Sequence, residues 1–168
     1  VKAVAFVARS GTGKTTLLER LLPEFLNRGF RVGALKHDAH RFDIDNPGKD
    51  SHRLTAAGAE TMLIASAEKM ALVKNHSEAP SAEELVQTYF SDMDIVLVEG
   101  FSRSTLPKIE LHRKGRNDPL LCRGDYNDPG LIAVASDEPL ELDVPVLNLN
   151  DPRSIADFIE ANLLGSSV

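Results

Sequence analysis

Ala8-Arg9-Ser10-Gly11-Thr12-Gly13-Lys14-Thr15-Thr16 is the stretch from which the rest of the chain can be read. It follows a continuous apolar run, Val4 to Val7, of the kind a central parallel strand needs when both its faces are covered. It opens a segment whose apolar residues Leu18, Leu21, Leu22, Phe25 and Leu26 fall at i, i+3, i+4, i+7 and i+8, one face of a helix that Gly29 should stop. Strand, glycine-rich turn and helix form the context that gives the pattern G-x-x-x-x-G-K-[ST] its meaning. Small residues let successive backbone N–H groups turn toward phosphate oxygens, and the helix adds its positive end. Ser10, Gly11, Thr12, Gly13, Lys14, Thr15 and Thr16 are therefore the expected nucleoside triphosphate cradle, with Lys14 reaching the β and γ phosphates and the Thr15 hydroxyl ligating Mg²⁺. Ala8 replaces the first glycine, a change that fits if its φ is negative. Pro23 should cost the helix one backbone hydrogen bond.

A phosphate loop of this type works with an acid at the end of a neighbouring strand, which holds Mg²⁺ or orients water. Asp94-Ile95-Val96-Leu97-Val98-Glu99-Gly100 supplies it. Glu99 ends the apolar run and is the expected partner of Thr15 at the metal, whereas Asp94 belongs at the far end of the strand. Lys14 and Glu99 are the expected catalytic pair. The polar stretch from Lys36 to Ser51 should leave its strand at the same sheet edge, where open α/β sheets bind ligands. Counted as a calcium loop from Asp43, it places Pro47 and Leu54 where a ligand and a Glu are needed, so that reading fails. A zinc site from His37 and His40 has little support beyond nearby carboxylates. A switch-like loop is the better reading: Lys36, His37 and His40 offer donors to anions, and Asp38, Asp43 and Asp45 offer acceptors to Mg²⁺-bound water.

At 168 residues the chain suits one compact nucleotide-binding domain over residues 1–168. Its net charge of −6 argues against a general nucleic-acid binder. The single cysteine, Cys122, excludes an internal disulfide and reads as a loop thiol without chemistry; a reducing compartment, the cytoplasm, is expected. Val1 to Ala8 is too short for a signal peptide or a membrane span.

Apolar runs alternate with helical patterns, the α/β signature. Further strands are expected at Arg31–Leu35, Ile95–Val98, Leu131–Ala135 and Val144–Leu149, with a short helix over Lys49–Ala57. Thr61–Ala65 and Met70–Val73 suit an antiparallel hairpin. Ser81 and Glu84 form a capping box that opens a helix through Phe90. Lys108–His112 alternates and predicts a strand with one wet face. Asp151 with Pro152 opens the last helix, whose buried stripe is Ile155, Phe158, Ile159 and Leu163. Lys114 to Gly130 is either a mobile functional loop or an insertion.

Three stretches together resemble the MobB-type adapter family of molybdopterin-guanine dinucleotide biosynthesis. They are Ala8 to Leu18; Lys36-His37 through His40, Asp43, Asp45 and Pro47-Gly48-Lys49-Asp50-Ser51 to Ala57-Gly58-Ala59; and Val98-Glu99-Gly100-Phe101 with Pro107-Lys108-Ile109. Ala133-Val134-Ala135-Ser136-Asp137 is a weaker fourth. The resemblance implies a mostly parallel twisted sheet flanked by helices, a P-loop NTPase fold with an added antiparallel strand pair. It implies GTP and Mg²⁺, a homodimer, weak GTP hydrolysis, and a role beside the guanylyltransferase that attaches GMP to the molybdenum–molybdopterin cofactor. A small-molecule kinase whose lid carries Arg113, Arg116 and Arg123 is the alternative, with a nickel metallochaperone GTPase as a third reading. No Asn-Lys-x-Asp string reads guanine here. Asp137 either accepts from guanine N1–H and N2–H₂ or caps a turn with Pro139.

Overall fold

The structure is a computed structural model that describes residues 1–38, 42, 44–116 and 118–165. In chain order the elements are β1 (Lys2–Val7), α1 (Lys14–Asn27), β2 (Val32–Lys36), α2 (Asp50–Ala56), β3 (Thr61–Ala65), β4 (Met70–Lys74), α3 (Ala82–Tyr89), β5 (Ile95–Glu99), β6 (Lys108–His112), β7 (Leu131–Ser136), β8 (Val146–Asn148) and α4 (Pro152–Ile159), which runs on as a π-helical turn, Glu160–Leu164. They form two compact units. One comprises Val1–His37 with Ser81–Val168, the other Asp38–Pro80.

The larger unit holds a six-stranded sheet in the order β2-β5-β1-β6-β7-β8, every pair parallel. The apolar runs of β1 and β5 explain their central places. Val4, Ala5 and Phe6, like Ile95 through Val98, are wholly buried, because helices or loops cover both faces. The register sets Glu99 beside Phe6 on one side and Lys36 on the other. The end of β5 therefore meets the turn that follows β1.

On one face α1 and α4 enclose Phe6, Leu18, Leu21, Phe25, Ile155 and Ile159. The expected α1 stripe needs one correction: Leu17 is buried and Leu26 is 59% exposed. Leu26 sits about 100° around the helix from Phe25, past the sheet-facing arc. Pro23 lies on the exposed side of α1, and the helix continues through it unbroken. The starts of both later helices match their signals: the Ser81–Glu84 capping box forms, and Asp151 accepts from the Ser154 N–H at 3.2 Å. The last strand is shorter than expected, only Val146–Asn148, an edge strand with one neighbour.

The other face carries Ala3, Ala5, Val7, Val96, Val98 and Val134 beneath Val86 of α3 and the turns contributing Leu106, Leu120 and Cys122. Here the expectation for Lys108–His112 is overturned. The strand has no wet face: Lys108 is 1% and Glu110 2% exposed. Alternation predicts polar-out, but the turns before and after β6 fold over this face, and its polar side chains meet chain instead of water. Lys108 Nζ donates to the Ser104 carbonyl at 2.6 Å and pairs with Asp128 at 3.1 Å. Glu110 accepts the N–H groups of Leu121, at 2.5 Å, and Cys122, at 2.9 Å. Buried charges are tolerable only when paired this fully. These bonds pin the segment after β6 to the sheet, so its described part is an ordered cover.

In the smaller unit α2 lies against β3, and β3 pairs with β4 in antiparallel register, Leu63 opposite Leu72 and Ile64 opposite Ala71. A lone two-stranded sheet is marginal in water. This one buries Met62 but leaves Leu63, Ile64 and Met70 more than half exposed.

Burial, helped by Glu110, pushes the Cys122 thiol up to about 12. Its thiolate is scarce at any ordinary pH, and the thiol is inaccessible as well. Native protein is therefore expected to leave DTNB unreacted at mildly alkaline pH, with one thiol appearing on denaturation in guanidinium. Prompt reaction of the folded chain would contradict the burial.

Candidate functional site

The residues between β1 and α1 curl at the carboxyl edge of the sheet. Gly11 and Gly13 have φ of 76° and 100°, the left-handed region that a side chain disfavours. Ala8 does not share that region, so its Cβ is tolerated. Gly13 caps α1 without any side-chain bond to the first turn, and no acidic residue lies there. The helix's first N–H groups are thus left for an anion. Thr12 is buried, its hydroxyl donating to the Arg9 carbonyl at 2.8 Å within the loop. Ser10, Thr15 and Thr16 lie on the exposed side.

Lys14 Nζ donates to the Ala8 carbonyl at 2.9 Å and the Arg9 carbonyl at 3.4 Å, so the ammonium arches back over the loop. Thr15 Oγ1 donates to Glu99 Oε2 at 2.9 Å, and Lys36 Nζ stands 3.5 Å from Glu99 Oε1. Burial holds the Lys14 ammonium below its ordinary pKa; the Glu99 carboxylate opposes that fall and Lys36 adds to it. Thr15 and Glu99, 84 positions apart, thus place two hard oxygen ligands side by side, the donor type Mg²⁺ takes. Asp94 is at the opposite end of β5, where Arg31 bonds both its oxygens and holds its carboxyl at about 2.

The loop's carbonyl side is occupied by two arginines from the segment after β6. Arg113 Nε donates to the Thr12 carbonyl at 2.9 Å, and Arg116 Nη2 to the Ser10 carbonyl at 3.0 Å. A Cβ at Gly13 would come within 3.3 Å of Arg113, and one at Gly11 within 3.3 Å of Arg116. Arg116 is itself steered by Asp118 at 3.2 Å. Asp137 accepts the Lys114 N–H at 2.6 Å and faces Arg113 Nη1 at 3.4 Å, so it anchors this same segment. The turn beyond it is closed by Ser136, whose hydroxyl accepts from the Glu138 N–H. Arg123 bonds Asp143 through two nitrogens and the Cys122 and Asp128 carbonyls through the third.

These contacts with the loop's carbonyls were not legible in the sequence. Arg113 and Thr12 are 101 positions apart, and only arginines flanking a long polar stretch hinted at a role. Of the residues assigned to a switch, Lys36 and His37 stand beside Glu99, the His37 N–H bonding the Glu99 carbonyl at 2.9 Å. Asp38 and Asp45 belong to the smaller unit; Asp45 Oδ1 accepts the Asn46 N–H. His40 and Asp43 lie outside the described residues.

The family model for molybdopterin guanine dinucleotide synthesis protein B matches residues 3–137. The molybdopterin-guanine dinucleotide biosynthesis adapter protein of Escherichia coli K12 is 44% identical over 95% of this chain and 91% of that protein. The adapter protein of the same name from Haemophilus influenzae is 41% identical over 90% of this chain and 83% of its own length. A crystal structure of a molybdopterin-guanine biosynthesis protein B, 28% identical, superposes with a TM-score of 0.75 over 95% of this chain and 97% of that one.

Substituting Glu99→Gln removes the one carboxylate that supports the charge of Lys14, so the Lys14 pKa is expected to fall further. NMR titration of the labelled lysine side chain reads this directly. An unchanged or raised value would show that the two groups do not interact.

Proposed function

The chain belongs to the molybdopterin guanine dinucleotide synthesis protein B family, and from that membership we propose that it is a Mg²⁺-dependent, GTP-binding adapter in the conversion of the molybdenum–molybdopterin cofactor to its guanine dinucleotide form. Its partner in that reading is the guanylyltransferase that joins GMP to the pterin, and its compartment is the cytoplasm. Among the described residues no helix is long and apolar enough to cross a membrane. The observation that carries the nucleotide part is the convergence of Lys14, Thr15 and Glu99 on a loop whose helix start has no side-chain cap.

Each residue then has a task. Backbone N–H groups from Ser10 to Thr16 bind phosphate oxygens. Lys14 exchanges its carbonyl contacts for the β and γ phosphates. Thr15 and Glu99 hold Mg²⁺, directly or through water, and Glu99 orients the attacking water. Asp137 reads guanine N1–H and N2–H₂ once it yields its bond to Lys114. Hydrolysis stays slow, because Arg113 and Arg116 serve the loop's carbonyls and do not reach over a transferred phosphate; an arginine supplied there is worth about 10³ to 10⁵ in rate. The same placement weighs against the kinase reading, since its three candidate lid arginines all have structural partners. The metallochaperone reading has no observation in its favour.

Calorimetric titration is expected to give Mg²⁺-dependent binding of GTP in preference to ATP. Lys14→Ala should weaken GTP by about 10- to 100-fold, the weight of a charge-assisted hydrogen bond, with the fold intact. Preference for ATP, or full affinity in Lys14→Ala, would overturn the reading.

The homodimer is also proposed, through the smaller unit. Its hairpin presents Leu63 on one face and Ile64 on the other, with Met70, Leu54, Phe42 and Ile44 also exposed, more apolar surface than a two-stranded sheet can leave in water. Sedimentation is expected to show a dimer that Leu63→Asp with Ile64→Asp converts to monomer. A monomeric parent protein would remove the proposal.

A further inference from the structure

Beyond Glu99 the chain leaves β5 through Gly100 and Phe101. Phe101 has φ of 52°, the only described non-glycine residue with a positive value, and its ring lies against His37 with centroids 4.5 Å apart. This sharp exit delivers Ser102, Arg103, Ser104 and Thr105 to one wall of an open cleft of about 610 Å³, whose other walls are Leu121–Cys122 and the turn from Tyr126 to Gly130. That volume is in the range of small-molecule sites, about 300–1,000 Å³. The phosphate loop does not use it.

Its chemistry is specific. The floor is the Lys108–Asp128 pair, mutually neutralised and bonded to the Ser104 carbonyl. Above it Arg103 is exposed and has neither a hydrogen bond nor an ion pair among the described residues, in a chain of net charge −6. Tyr126 shows 64% of its surface. Ser102 is exposed, and Ser104 Oγ is buried without a hydrogen-bond partner, so the wall gains a bond if it repacks around a guest. One free guanidinium, one accessible aromatic ring and unspent hydroxyls, beside a floor without net charge, suit a ligand with one anionic end and one flat polar body.

We propose that this cleft binds a fused-ring heterocycle carrying a phosphate, with Arg103 on the phosphate, Tyr126 against the ring and the serine hydroxyls on its polar edge. Two sources share that chemistry, a pterin phosphate and a guanine nucleotide. The choice of these two rests on the function proposed above; the cleft itself does not.

The test uses the full chain carrying Lys14→Ala, which weakens the phosphate loop, and hydroxymethylpterin phosphate followed by its own fluorescence. Saturable binding is expected, weakened about tenfold by Arg103→Ala and by Tyr126→Ala, each the loss of one strong contact. Both side chains are exposed, and an unchanged circular dichroism spectrum and thermal midpoint in the two variants would show that they fold. Inorganic phosphate should compete poorly. Competition by GMP as effective as the pterin's own assigns the cleft to a nucleotide, and failure of GMP assigns it to the pterin; either supports a heterocycle site. Absence of saturable binding, indifference to both substitutions, or equal competition by phosphate alone would overturn it. GTP binding by the parent chain is measured separately, so such a failure is distinct from failure of the nucleotide reading.

Discussion

A loop that turns its N–H groups inward toward an anion turns its carbonyls outward, and those carbonyls need donors. In this protein three cations meet that need: Lys14 on Ala8 and Arg9, Arg116 on Ser10, and Arg113 on Thr12. Pairing the carbonyl side with charged donors does two things at once. It holds the left-handed backbone at Gly11 and Gly13 in place, and it adds positive potential next to the point where phosphate charge would sit. Two of those cations come from beyond β6, so the phosphate loop is completed by sequence far from itself.

The support for those arginines can be followed back into the core. Glu110, buried on β6, takes the N–H groups of Leu121 and Cys122. Asp137, just past β7, takes the N–H of Lys114. Between these two anchors Asp118 steers Arg116. A carboxylate whose burial looks costly in isolation thus acts as a tether. Leaving such a buried group without its hydrogen bond typically costs about 1–3 kcal/mol, more for a charged one, well above what an exposed pair contributes. The Lys108–Asp128 pair does the same for the turns beside it, and so shapes the cleft on that face.

The strand order explains why the phosphate loop and the cleft are neighbours. With β5 between β2 and β1, the carboxyl end of β5 carries Glu99 to the phosphate loop. The left-handed turn at Phe101 then leads the chain directly to the wall of the cleft. An adapter with both sites filled would hold a nucleotide and a second ligand on either side of one short turn. In the smaller unit the hairpin leaves Leu63, Ile64 and Met70 more than half exposed.

The sequence by itself determined the local features: the strand–turn–helix around Lys14, the Ser81–Glu84 cap, the Asp151–Pro152 helix start, the hairpin, and Glu99 as the strand-end acid. Each is encoded within a few residues, by spacing, by a capping side chain or by an apolar run, so neighbours in the chain suffice to read it. Burial of Lys108 and Glu110 was not legible, because alternating polarity cannot tell water from a covering loop; only the turns that fold over that face of β6 decide it. The grip of Arg113 and Arg116 on the loop, and the engagement of Asp137 with Lys114, were likewise decided by tertiary structure. They join residues about a hundred positions, or some two dozen, apart in the chain. A charged side chain's partner is whatever the fold brings within about 3 Å, and no local pattern records that distance.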